Sequence, residues 1–141
     1  MISLHNVNKS FKGSNQYAVQ SVSLDIQKGT IHGMIGTSGA GKSTLLRLIN
    51  LLESPDEGTV TVNQQELTSL SSWDLREARR SIGMIFQHFN LLENKTVFDN
   101  VAIPLKLSGY PKDLRNERVM ECLAFVGLEH LAKQYPSKLS G

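Results

Sequence analysis

Residues 36–43, GTSGAGKS, have the types and spacing that bind phosphate groups. They fit the pattern G-x-x-x-x-G-K-[ST], in which the glycines let the backbone wrap closely around an anion. Successive backbone N–H groups and the N-terminus of a following helix then face the phosphate oxygens. Lys42 would add a positive charge at the β- and γ-phosphates, and the Ser43 hydroxyl would ligate Mg²⁺. The segment therefore predicts a nucleotide-phosphate site.

Every position of this loop is a candidate ligand of the nucleotide, and the residue after it can reach the α-phosphate side. The pattern by itself does not distinguish an ATPase from a GTPase or a small-molecule kinase. A glycine-rich turn that matches by chance is the alternative, which the expected strand and helix on either side of the loop disfavour. The candidate binding residues are Gly36, Thr37, Ser38, Gly39, Ala40, Gly41, Lys42, Ser43 and Thr44.

Two elements must position this loop. Residues 30–35 form a short, mostly apolar run, which predicts a strand buried on both faces of a parallel sheet. Residues 42–52 carry leucine and isoleucine at helical spacing, and Ser54 with Pro55 is expected to end that helix. Residues 81–86 predict a second buried strand.

Other patterns in the first half predict exposed strands and one short helix. Alternation of apolar and polar residues over 22–26 is typical of a half-buried strand, and it recurs more briefly at residues 2–4 and 60–62. Residues 71–74, SSWD, predict a capping box that opens a short helix. The arginines of that helix, with Glu77 among them, predict a solvated face.

The second half is predicted to be helical. Residues 96–107 favour a helix that Pro104 kinks or breaks. Residues 112–126 favour an amphipathic helix with Gly127 as its C-terminal cap, followed by a short helix over 129–134. The apolar face of the helix over residues 112–126 is expected to contain Val119, Met120, Leu123 and Val126. We therefore expect a sheet-based nucleotide-binding part over residues 1–86 and a helical part over residues 87–141.

Composition places the chain among ordinary globular proteins. Its 141 residues are 40% hydrophobic and carry a net charge of +2, which is too balanced for a protein that coats nucleic acid. The single cysteine, Cys122, excludes an internal disulfide and fits a reducing compartment. The N-terminus lacks the apolar core of a signal peptide, and no apolar run approaches the length of a membrane span. We therefore expect a soluble intracellular protein.

Four further segments occur in a set order around the phosphate loop. They are VNKSF at residues 7–11, SIGMIFQ at 81–87, TVFDNV at 96–101 and YPSKLSG at 135–141. Together with the loop they resemble the ATP-binding subunits of ABC transporters over essentially the whole chain. Residues 50–53, 78–80 and 83–92 are most similar to the ATPases of methionine importers. The resemblance implies an α/β P-loop NTPase core with an inserted helical subdomain, with the C-terminal part of the core missing.

The resemblance also implies roles for individual residues. Phe11 would stack on adenine, although Tyr17 is a competing ring because residues 13–16 lengthen the intervening loop. Gln87 would reach Mg²⁺ and the attacking water and would link the site to the transport subunits. Lys42 and Gln87 would thus be the catalytic residues, and Ser43 and Gln87 the metal ligands. His88 is expected to be a loop or interface residue.

The resemblance implies an importer subunit that couples ATP hydrolysis to uptake of a small solute, methionine. Its cofactors would be ATP and Mg²⁺, and its partners integral-membrane permease subunits, a second identical subunit and, indirectly, an extracytoplasmic solute-binding protein. It would lie peripherally on the cytoplasmic face of the inner membrane and bind no nucleic acid. A soluble ABC-type ATPase outside transport and a nucleotide-binding fragment without hydrolysis remain the alternatives.

The last three residues, 139–141, resemble the start of the family's signature loop. The resemblance places the rest of that loop, the catalytic glutamate and a switch histidine downstream of residue 141. For the 141 residues alone we expect weak ATP binding, negligible turnover and an exposed apolar sheet edge.

Overall fold

The computed structural model describes residues 1–13 and 16–139 of the chain. The chain divides into two compact units, Met1–Gly83 and Met84–Gly141. In the described residues, all strands belong to the first unit, whereas the regular elements of the second unit are helices. Residues 14 and 15, in the lengthened loop, and residues 140 and 141, in the signature segment, lie outside the described residues.

The first unit contains an antiparallel sheet whose strands follow the predicted alternation. β1 spans Ile2–Ser10, β2 spans Tyr17–Ile26, β3 spans Glu57–Val62 and β4 spans Gln65–Glu66, in the order β2-β1-β3-β4. Leu4 of β1 lies opposite Leu24 on one side and Val60 on the other. The strands predicted around residues 2–4, 22–26 and 60–62 are therefore confirmed.

Helix α1, Lys42–Ile49, closes the core of this unit against the sheet. It begins where the sequence predicts but ends before residue 52, because Asn50 leaves helical geometry and Leu51 adopts a φ of +52°. The apolar side chains of α1 meet those of the sheet strands in one buried cluster. That cluster is made of Leu4, Val7, Val19, Leu48, Ile49, Leu51, Val60, Val62 and Leu67.

The two strands predicted to be fully buried are absent from the structure. Residues 30–35 and 81–86 are in neither helix nor strand, and the side chains of Ile31, Ile35 and Ile85 are 103%, 98% and 99% exposed. A strand exists through hydrogen bonds to a neighbouring strand. Within the described residues neither segment has such a neighbour, so the apolar pattern alone does not produce a strand.

Helix α2, Ser72–Arg79, begins with the predicted capping box. The backbone N–H of Asp74 donates to Ser71 Oγ at 3.2 Å, and that hydroxyl donates to Asp74 Oδ2 at 2.6 Å. The predicted solvated arginine face is only partly correct. Arg80 forms an exposed ion pair with Glu77, whereas half-buried Arg79 donates to the carbonyls of Asn50, at 2.9 Å, and Leu51, just beyond the last turn of α1.

The second unit contains helices α3, Val97–Leu107, and α4, Arg115–Phe125. Pro104 does not break α3, which continues through it, and Ser108 N–H donates to the Pro104 carbonyl at 2.9 Å. The alternative, a kink at Pro104, stays a prediction. A proline this near the C-terminal end removes one intrahelical bond without ending the helix. Gly127, with a φ of +71°, caps α4 as predicted, and Leu128 N–H donates to the Leu123 carbonyl at 2.8 Å.

The core of the second unit is small. Ala102, Val119, Leu123 and Ala132 are buried together, but Met120 and Val126, predicted on the same face, are 39% and 59% exposed. Short 3₁₀ helices span Glu129–Leu131, within the predicted helix, and Pro136–Lys138. No helix in the described parts of either unit has the length and apolarity needed to cross a membrane.

Candidate nucleotide-phosphate site

The glycine-rich loop leads directly into α1, as the sequence predicts. Gly39 and Gly41 have φ values of +81° and +83°, in the left-handed region that side chains disfavour. Gly41 is the N-cap of α1, and its carbonyl accepts the first helical bond from Leu45 N–H at 2.8 Å. These glycines therefore make the sharp turn from loop into helix possible.

Strand β2 supports the loop from behind. A Cβ atom on Gly41 would lie 2.1 Å from the carbonyl oxygen of Ala18, so no side chain fits between loop and strand. A cavity of about 290 Å³ lies alongside and is lined by residues of β2, the loop and α1, including Val19, Lys42 and Leu45. The position of the loop is thus set by the sheet as well as by its own sequence.

Lys42 folds back over the start of the loop. Its Nζ donates to the carbonyls of Gly36 at 2.8 Å and Thr37 at 2.7 Å. Ala40 N–H also donates to the Thr37 carbonyl, at 3.3 Å, which tightens the turn. Within residues 1–13 and 16–139, no carboxylate forms an ion pair with this ammonium. Its positive charge therefore remains available to an anion.

The N-terminus of α1 adds to this positive field. No side chain caps the helix, and its first turn contains no acidic residue. The first N–H groups of a helix lack intrahelical partners and carry partial positive charge, so an anion can satisfy them. Ser43 is exposed beside these groups, while Lys42 and Thr44 are half-buried. The loop and helix together can hold a polyphosphate, with the Ser43 hydroxyl open to a phosphate-bound cation.

Phe11 and Tyr17 stand at the same end of the sheet as the loop. Ser10, the last residue of β1, pairs with Tyr17, the first residue of β2, and Ala18 contacts the loop at Gly41. Phe11 is 42% exposed and Tyr17 is 55% exposed. Both rings are therefore accessible near the loop, and exposure does not choose between them.

Asp56 makes a group of contacts at the end of β1 that sequence patterns did not indicate. Its carboxylate accepts from Ser10 N–H at 2.7 Å, Lys9 Nζ at 3.0 Å and Ser10 Oγ at 2.9 Å. The backbone bond from Ser10, followed by the Lys9 ammonium, lowers the pKa of Asp56 from 3.8 to about 2. Lys9 Nζ also lies 5.6 Å from the ring centroid of Phe11. No local periodicity links residues so distant in sequence, so only the fold reveals this group.

The remaining predicted site residues lie in the second unit. Gln87 and His88 are both exposed there, and the predicted roles of Gln87 as a metal ligand and catalytic residue stay predictions. Among the residues that the structure describes, no group of three or more His, Cys, Asp or Glu side chains could hold a metal.

Comparison with known proteins shows which family this chain matches. The family model of ABC transporters matches residues 19–141. Methionine import ATP-binding protein MetN 2 of Bacillus cereus (strain ATCC 10987 / NRS 248) is 54% identical over all of this chain. MetN 1 of Listeria monocytogenes serotype 4b (strain F2365) is 56% identical over the same extent. The chain spans 42% of the length of each of these relatives.

Solved structures show the same fold. A dimeric structure of MJ0796, a bacterial ABC transporter cassette, matches all of this chain with a TM-score of 0.91 at 37% identity, over 64% of its own length. A dimeric post-hydrolysis state of the same cassette, bound to ADP and Pi, matches 99% of this chain with a TM-score of 0.89 at 36% identity, over 63% of its own length. The predicted P-loop cassette fold is therefore confirmed.

Proposed function

Because this chain belongs to the ABC transporter family, we propose that the protein is the ATP-binding subunit of an importer that couples ATP hydrolysis to methionine uptake. The observation that carries this proposal is the 54–56% identity, over the entire chain, to methionine import ATP-binding proteins. The structure supports the proposal with a loop and a helix whose positive charges suit a nucleoside triphosphate. In this proposal, recognition of the solute belongs to its partners.

In this proposal the loop binds the nucleotide through its backbone. N–H groups of residues 36–44 and the start of α1 surround the phosphates, and the Lys42 ammonium turns from its loop carbonyls toward the β- and γ-phosphates. Ser43 would hold Mg²⁺ together with Gln87, and the ion would neutralise charge on the phosphate oxygens. Gln87 would orient the attacking water, and Phe11 would stack on the adenine.

The proposed partners follow from the relatives. The similar cassettes were solved as dimers, so we propose that two copies of this protein bind ATP together. Because the relatives are named import proteins, we propose permease subunits as membrane partners. An external solute-binding protein that acts through the permease is part of the same proposal. The protein would then lie peripherally on the cytoplasmic face of the membrane.

The 141 residues by themselves would bind nucleotide without turning it over. Their one Asp-Glu pair, Asp56 and Glu57, lies at the start of β3, with Glu57 as its first residue, rather than at the end of a strand. Both carboxylates are bound to β1, since Asp56 accepts from Ser10 and Lys9, and Glu57 accepts from Asn8 Nδ2 at 3.1 Å. This pair therefore does not supply the general base that hydrolysis needs.

Replacing Lys42 tests nucleotide binding. Lys42→Ala should weaken ATP binding by roughly 10- to 100-fold, because charge-assisted hydrogen bonds contribute about 1.5–3 kcal/mol. Isothermal titration of ATP measures the change. Lys28→Ala, which removes an exposed lysine after β2, is the matched control and should bind like the wild type. Unchanged affinity in Lys42→Ala would remove the central assignment.

Methionine transport is tested in vesicles that contain the purified complex. ATP-dependent uptake of labelled methionine should occur with the wild type and with Lys28→Ala but not with Lys42→Ala. Copurification with ribosomes or DNA, and not with a permease, would favour the soluble ATPase instead.

A further inference from the structure

Three donors converge on the carboxylate of Asp56 at the end of β1. Ser10 contributes its backbone N–H at 2.7 Å and its hydroxyl at 2.9 Å, and Lys9 contributes Nζ at 3.0 Å. The backbone N–H of Asp56 in turn donates to the Asn8 carbonyl at 2.9 Å. One residue thus holds the last three residues of the strand.

The segment that carries Asp56 is held against β1 by backbone contact. Gly58 has a φ of +89°, and a Cβ atom there would lie 2.4 Å from the Asn6 carbonyl oxygen and 2.5 Å from that of His5. No side chain can separate the two segments at this point. The close approach of β3 to β1 therefore places the Asp56 carboxylate at the end of β1.

Phe11 is the first residue beyond that end, so no strand pairing holds it. Two neighbours that Asp56 binds restrain it instead. Ser10 fixes the backbone before the ring, and the Lys9 ammonium lies 5.6 Å from the ring centroid, within the range of a cation–π contact. The Lys9 side chain is only 14% exposed, so its ammonium has little freedom to leave.

We propose that Asp56 is a positioning residue for the nucleotide base, acting through Ser10 and Lys9 to orient the Phe11 ring. Lys9 covers one face of the ring and leaves the other for adenine. This inference deepens the proposed function and rests on ATP being the ligand. Since a ring that is already immobilised loses less freedom on stacking, removing Asp56 should weaken the base contribution by roughly 2- to 10-fold.

The test separates base binding from phosphate binding. In the full chain, the dissociation constants of ATP and inorganic triphosphate are measured, and their ratio defines the nucleoside factor, Kd(triphosphate)/Kd(ATP). Phe11→Ala and Asp56→Ala should both lower this factor without changing the affinity for triphosphate. The double variant should show no loss beyond that of Phe11→Ala. Glu57→Ala, which removes the adjacent carboxylate, is the matched control and should leave the factor unchanged.

Each result decides between distinct conclusions. If Asp56→Ala keeps the wild-type factor while Phe11→Ala lowers it, or if it weakens ATP and triphosphate equally, the positioning role is wrong. If Phe11→Ala has no effect and Tyr17→Ala lowers the factor, the ring is Tyr17 and the proposal is overturned. If Asp56→Ala does not fold, the same measurements are made on Asp56→Asn, and the proposal then requires that this variant lower the nucleoside factor. Wild-type protein that binds neither ligand would refute the proposed function itself.

Discussion

The contrast between Lys42 and Asp56 shows what single residues do in this protein. Lys42 occupies a position that the loop pattern defines, and its ammonium is held by two loop carbonyls. Asp56 belongs to no motif, yet it receives three hydrogen bonds at the end of β1. A local pattern predicts the first residue because all its contacts are local. The contacts of the second join segments far apart in sequence.

The hydrogen bonds to Asp56 predict a dependence of stability on acid. Its pKa is lowered from 3.8 to about 2 in the folded state, so the folded state prefers the ionised form. Its stabilising effect is therefore fully present above pH 3.8 and is lost as the pH falls toward 2. The midpoint of urea unfolding, measured at pH values between 5 and 2 in steps of about one pH unit, should fall as this stabilisation is lost.

Asp56→Asn is the control for that titration. The variant lacks the titrating group, so its midpoint should decline less steeply than that of the wild type between pH 3.8 and about 2. Parallel declines would show that the carboxylate contributes no pH-dependent stability.

Several elements form where the sequence predicts them. The alternating strands, the capping box of α2 and the glycine cap of α4 all form as predicted. Residues 30–35 and 81–86 do not form strands, because an apolar run needs a neighbouring strand as well as the right residues. Pro104 does not end α3, since it lies near the end of that helix.

Arg79 links two elements that the sequence treats as separate. It donates to the Asn50 and Leu51 carbonyls, beyond the last turn of α1, where a cation is also favoured by the helix dipole. Arg79→Ala should therefore lower the free energy of unfolding by about 1–3 kcal/mol. Chemical denaturation measures the loss.

Two variants sharpen this prediction. Arg79→Lys keeps the charge but not the forked donors, so it should show an intermediate loss. Arg80→Ala, which removes an exposed ion pair with Glu77, should cost no more than about 0.5 kcal/mol. Equal effects of the two alanine substitutions would contradict a special role for Arg79.

At the scale of the whole molecule, the chain combines a first unit that carries the phosphate loop with a helical second unit that carries Gln87. The matches to dimeric cassettes at TM-scores of 0.89 and 0.91 show that both belong to the P-loop cassette fold. The chain covers 42% of its methionine-import relatives, so hydrolysis and transport are properties proposed for the whole protein.

The isolated 141-residue chain provides a test at this scale. It should bind ATP through the loop but release no phosphate above background, because its Asp-Glu pair is bound to β1 and supplies no general base. Phosphate release is measured for the isolated chain and, in parallel, for the full-length protein. The Lys42→Ala variant of each shows how much of the release comes from contaminating ATPases. Turnover by the isolated chain that Lys42→Ala abolishes would contradict the prediction.

The sequence by itself determined the phosphate-loop motif of this protein. Its glycines, Lys42 and Ser43 are consecutive in the chain, and the helix that follows them needs only local spacing to form. Tertiary structure decided the contacts between distant segments: the Ala18 carbonyl against Gly41, the Asp56 carboxylate on Lys9 and Ser10, and Arg79 on the carbonyls beyond the end of α1. The physical reason is that backbone conformation follows from neighbouring residues, whereas contacts between distant segments exist only once strands have paired and helices have packed.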